Sequence, residues 1–155
     1  MHDLTQGLQD ASTGGVFQLG ADVRAVERAA KDAGLAWFRI DIHAAHDKGD
    51  LLAALAKGLA FPDWFGGNWD ALADCLTDLE WHDAKGYVVV LDKAKHFVAG
   101  HARDWKAALE VLRHASDYWR EEAVPFWVFV AGPEGWKSGL PEWPGSGRAD
   151  TNAES

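Results

Sequence analysis

Three short apolar runs, set apart by long stretches of helical periodicity, constrain this chain more than any other feature. From Trp37 to Ile42 the residues alternate, which puts Phe38, Ile40 and Ile42 on one face of a strand. Tyr87 to Leu91 and Phe126 to Val130 are apolar at nearly every position, as buried strands are. Between the first two runs, Leu51, Leu52, Leu55 and Leu59 form a helical stripe that begins after Asp47, a residue type suited to the N-cap. Trp105 to Glu122 reads as a long helix before the third run. Strands separated by helices pair in parallel through crossovers. The expected architecture is therefore α/β, a three-stranded parallel sheet packed against helices.

This core occupies residues 35–132. Residues 1–34 form an N-terminal extension, in which Gly15 to Leu19 gives a weak strand signal and Ala21 to Ala33 carries Val23, Val26 and Ala30 at helical spacing before Gly34. After Gly132 the chain is rich in Gly, Pro, Ser and acidic residues, a composition that buries little apolar surface. Residues 133–155 are expected to form a flexible tail, with Trp136 and Trp143 able to dock locally.

The net charge of −9 repels phosphate backbones and anionic lipid surfaces, so neither nucleic acid nor a membrane is expected as a direct partner. No apolar run approaches the ~20 residues of a membrane helix. Cys75 is a single cysteine and there is no secretion-type leader, which together suggest a reducing, cytoplasmic setting.

The charge is concentrated. Between Asp63 and Asp83 lie six carboxylates and no Lys or Arg. Gly66 and Gly67 make a turn, Asn68 is placed to cap a helix running to about Leu79, and Trp69, Leu72, Cys75 and Leu76 form its inward stripe. Asp70, Asp74 and Asp78 then follow one another at four-residue spacing. Each such repulsion costs a few tenths of a kcal/mol, and the helix dipole favours Asp70 but opposes Asp78. Helix stability therefore does not account for the pattern. A solvated polar face is the plain alternative, whereas a basic partner would relieve the repulsion, and Trp64 and Phe65 beside the stripe are the aromatic type that interface centres use.

The run from Phe61 to Trp81, FPDWFGGNWDALADCLTDLEW, closely resembles the signature of the barstar family, with Pro62, Gly66, Asn68, Asp70, Ala71, Leu72, Cys75 and Leu76 in register. The resemblance extends over about Trp37 to Ala131. It implies an inhibitor whose signature helix and preceding loop plug the active site of a barnase-type ribonuclease, with an immunity or self-protection role, no catalysis and no cofactor or metal. The partner it implies is a basic extracellular-type ribonuclease or ribonuclease toxin. By position, Asp74 resembles the family's central aspartate, and Asp70 its neighbouring interface acid. Trp64 falls where the prototype has a tyrosine, and Asn68 and Thr77 match smaller contact positions. The partner-binding set is thus Trp64, Gly66, Asn68, Trp69, Asp70, Ala73, Asp74 and Thr77. Two departures imply a reshaped surface: Ala73 stands where the prototype carries an interface tryptophan, and Trp69 replaces a leucine. In the late helix, the register of a further acidic contact falls on Tyr118, with Asp117 beside it.

Other chemistries fit less well. An enzyme using Asp70 and Asp74 would need environments that separate their pKa values, which two acids on one stripe do not offer. Metal sites at His43 and His46, which lack a third ligand, or at His82 with Asp83 and Asp78, are not convincing. Cys75 neighbours Asp74, which disfavours the thiolate. An acidic adaptor or mimic with a different basic partner shares the electrostatics and remains the alternative.

Overall fold

The computed structural model describes residues 4–62, 66–79 and 84–145. Five strands form one parallel sheet in the order β2-β3-β4-β1-β5. They are β1 (Gly15–Leu19), β2 (Ala36–Asp41), β3 (Tyr87–Asp92), β4 (Phe126–Val130) and β5 (Glu142–Trp143). The α/β reading of the sequence holds, but the expected three strands are five. The N-terminal strand enters the sheet beside β4, with Gly15 opposite Trp127. Two residues of the C-terminal segment then pair along its other side, Leu19 opposite Trp143.

Alternation along the strands divides the core. Tyr87, Val89 and Leu91 of β3, with Phe126, Val128 and Val130 of β4, face α3 (Lys48–Gly58), α4 (Trp69–Leu76), α5 (Lys95–Gly100) and α6 (Ala102–Glu121). Ile40 and Ile42 join that side, and the Leu51, Leu52, Leu55 and Leu59 stripe is buried there. Val88, Val90, Trp127 and Phe129 point to the opposite side, where Val26, Ala29 and Ala30 of α2 (Val23–Asp32) and Leu8 of α1 (Leu4–Gln9) cover them. Both faces are roofed by helices, which is why β3 and β4 read as continuous apolar runs.

The added segments are fastened by polar contacts as well. Trp127 Nε1 donates to the Leu8 carbonyl at 2.9 Å. Buried Gln18 donates to the Trp136 carbonyl at 2.8 Å and accepts from the Ser138 amide at 2.7 Å. Trp143 packs against Trp127 and Phe129, with ring centroids 5.1 and 5.3 Å apart.

Candidate functional site

The acidic stripe is carried by α4, and each end of that helix has a local cause. Gly67 turns the chain with φ +70°, a conformation that glycine adopts without a Cβ penalty. Asn68 follows in an extended conformation, and its Oδ1 accepts the Ala71 amide at 2.8 Å as the N-cap. At the other end the Thr77 hydroxyl donates to the Ala73 carbonyl at 2.9 Å, and Leu79 takes a left-handed φ of 49°. These contacts stop the helix at Leu76, earlier than the expected Leu79.

Leu72, Cys75 and Leu76 are fully buried, and Trp69 is half-buried against the same core. Burial first, and then the Asp74 and Asp78 charges, push the Cys75 thiol up to about 11. That is the pKa of an inert packed group, not of a nucleophile.

Opposite this buried stripe, Asp70 and Asp74 are exposed, one helical turn apart. Asp78 lies past the C-cap and is half-buried, so the continuous helical stripe comprises two acids, not three. Ala73 and Thr77 are half-buried between the acidic and apolar faces, and Gly66 and Asn68 are exposed. Among the described residues, no ion pair engages Asp70, Asp74 or Asp78. Trp64, the remaining member of the expected set, lies outside the described residues, as do His82 and Asp83. His43 makes an edge contact with His96, ring centroids 5.5 Å apart. Among the described residues no three His, Cys, Asp or Glu side chains converge as metal ligands. No described helix is long and apolar enough to cross a membrane.

One anchor of this site was not read from the sequence. Trp119, on α6, donates its Nε1 proton to the Leu76 carbonyl at 2.7 Å. Its ring lies between Tyr87 and Phe126, at 5.4 and 6.5 Å. A carbonyl of the last helical turn has no partner within its own helix, so this bond fixes the end of α4 to α6. Tyr118 stands edge-on to Trp119 at 5.1 Å and is, among the described residues, the exposed large hydrophobic side chain, at 40%. Asp117 is paired with Arg120, which in turn donates to the Gly14 carbonyl at 2.8 Å.

Comparison with known proteins follows the same outline. A family model described as barstar (barnase inhibitor) matches residues 35–131. A search of curated proteins returns no match. Among solved structures, the ORC2 protein of Aeropyrum pernix, in ADPNP-ADP complexes, superposes with a TM-score of 0.57 at 18% identity. That alignment covers 84% of this chain and 38% of the other. A Walker-type ATPase of Pyrococcus abyssi gives 0.49 at 15% identity, covering 84% and 44%. This chain thus spans about two fifths of those structures' length, and the likeness to the first is one of fold. The link from β1 to α2 is only Gly20-Ala21-Asp22, and the sequence contains no G-x-x-x-x-G-K-[ST] phosphate loop. The family match contains α4 with both of its caps, together with β2, β3 and β4, and the chain belongs to the barstar (barnase inhibitor) family.

Proposed function

We propose that this protein inhibits a basic, barnase-type ribonuclease by inserting the exposed acidic face of α4 and the loop before it into the enzyme's active site. The observation that carries this reading is the pair Asp70 and Asp74, exposed and without a cationic partner among the described residues, on a helix inside the family-matched segment. Two like charges one turn apart disfavour the free helix. Cations that hold a phosphate in a nuclease would be neutralised by them, and the same field would speed encounter at low salt.

The reading assigns roles to the whole set. Asp74 meets the phosphate-site cations, Asp70 adds a second charge pair, and Trp64, Gly66, Asn68, Trp69, Ala73 and Thr77 shape the surface around them. A Cβ on Gly66 would come no closer than 3.6 Å to its neighbours. The fold tolerates a side chain there, and a demand for glycine would come from a partner's close approach. In the late helix both Asp117 and Tyr118 are exposed, but the Asp117 carboxylate is already paired with Arg120, which favours Tyr118 as the contact. Inhibition of this kind needs no catalysis by the chain, and its setting is the cytoplasm of a cell that makes or meets such a nuclease.

The test is titration of the full chain into a barnase-type ribonuclease assay at low and moderate salt, beside Asp74→Ala and Asp83→Ala. Stoichiometric inhibition, weakened by about 2–5 kcal/mol in Asp74→Ala and much less in Asp83→Ala, supports the assignment. A folded chain that leaves the nuclease active would turn the search to a different basic partner of the same acidic face.

A further inference from the structure

At the other end of the molecule the charge changes sign. The carboxyl ends of β2, β3 and β4 surround a cleft of about 470 Å³, within the size range of small-molecule sites. His43 follows β2, Asp92 and Lys93 close β3, Lys95 and His96 open α5, and Gly132 follows β4. Loops at this edge of a parallel sheet converge, and ligands of such folds sit there. The cleft lies at the last residue of β3, while Trp119, which holds the end of α4, meets the strand at its first residue, Tyr87. The strand separates them by about 17 Å.

Asp92 lines this cleft and Asp41 is bonded to the His43 and Lys93 that do, and both carboxylates are committed. Asp92 accepts Arg39 Nε and Nη2 at 2.8 and 2.7 Å on one oxygen and the Lys93 amide at 2.9 Å on the other. Asp41 accepts the His43 amide at 2.8 Å and faces Lys93 Nζ at 3.3 Å. The His43 amide, with Lys93 assisting against a smaller desolvation penalty, holds the Asp41 carboxyl below its usual range. Arg39 therefore offsets Asp92, and Lys93 offsets Asp41. What remains is Lys95, which makes no ion pair among the described residues, and the imidazoles of His43 and His96 in edge contact.

The backbone here is also unusual. Lys93 has φ +55°, and of the non-glycine residues in that region it alone follows a strand and not a helix. Such a conformation persists only where its surroundings enforce it, and the Asp92–Lys93 and Ala94–Ala131 hydrogen bonds do so. The neighbouring trough beside the end of β1 shares Asp92 and Gly132 but carries Asp22, Glu134 and Glu142 against one cation, Lys137, which faces Glu142 at 3.8 Å. The histidine and lysine end is the less acidic of the two.

We propose that the cleft between His43, Lys95 and His96 binds a small polyanion bearing phosphate or carboxylate groups. This site is separate from the nuclease-binding face and does not depend on it. The test is an NMR titration of the full chain with inorganic pyrophosphate and, in a parallel arm, citrate. The imidazole signals are followed and assigned with His43→Gln and His96→Gln. The expected result is a saturable displacement of the His43 and His96 signals, half-complete near ~1 mM. In the Lys95→Ala/His96→Gln variant, His43 should need about tenfold more ligand, the loss of roughly one charge-assisted contact. Whichever ligand saturates the site identifies the favoured group. Signals that do not move with either ligand, or that move equally in the double variant, overturn the proposal. All substituted side chains are exposed, so the variants retain their fold.

Discussion

Replacing Trp119 with phenylalanine should destabilise the protein through one atom. The indole Nε1 supplies a hydrogen bond to the Leu76 carbonyl, at the last residue of α4, where the Leu76 side chain is 1% exposed. A phenyl ring keeps most of the contact with Tyr87 and Phe126 but cannot donate. A hydrogen bond of this kind contributes about 1 kcal/mol net, and an acceptor left dry costs about 1–3 kcal/mol. For a chain of this size about 1–2 kcal/mol corresponds to a lowering of the melting temperature by roughly 2–8 °C. Differential scanning calorimetry and a urea midpoint should report the same loss, with Tyr118→Phe as the exposed control at nearly unchanged Tm. An unchanged Tm for Trp119→Phe would refute the claim that this bond secures α4 to α6.

Asn68→Ala removes the side-chain cap on the Ala71 amide and should cost about 1 kcal/mol in chemical denaturation, whereas Asn68→Asp should cost much less. Cys75, with its thiol at about 11 against an ordinary 9.0, should resist iodoacetamide until the chain unfolds. Because the folded state holds that proton more tightly, its contribution to stability is complete below pH 9 and declines as the pH rises towards 11; a Cys75→Ala variant should lack this decline in urea titrations. Under the inhibitor reading, Tyr118→Ala should speed dissociation from the nuclease while Asp117→Asn leaves it nearly unchanged, a difference that surface plasmon resonance would measure.

The elements legible in the sequence are those whose cause is local. The Asp47 and Asn68 caps, the Leu51–Leu59 stripe and the runs of β3 and β4 each declare themselves within a few residues, and the structure places them as read. The end of α4 was expected at Leu79 because it depends on Trp119, far along the chain, as well as on the Thr77 hydroxyl, and α5 went unread because its N-cap, Ala94, makes no side-chain cap bond to announce it. Leu4 and Leu8 stand at helical spacing, but Leu8 is buried because of Trp127. β5 is a strand because β1 offers an open edge, not because Glu142 and Trp143 favour one. At the site, spacing alone put Asp70 and Asp74 on one face. Asp117 and Tyr118 are both exposed, and what distinguishes them is an ion pair to Arg120 and a ring contact with Trp119 that the sequence does not announce.

The position of β1 has a consequence for how the molecule is made. Gly15 and Trp127 are neighbours in the sheet, yet α2 to α6 and two further strands lie between them in the chain. During synthesis the first strand emerges early and must wait for the fourth before it has a partner. Closing so long a loop is slow, and in the interval an apolar strand stands without its neighbour, open to association with other chains. The family-matched segment carries β2, β3 and β4 on contacts closer in sequence. Assembly should therefore proceed in two phases, with the N-terminal strand and the short C-terminal one arriving last.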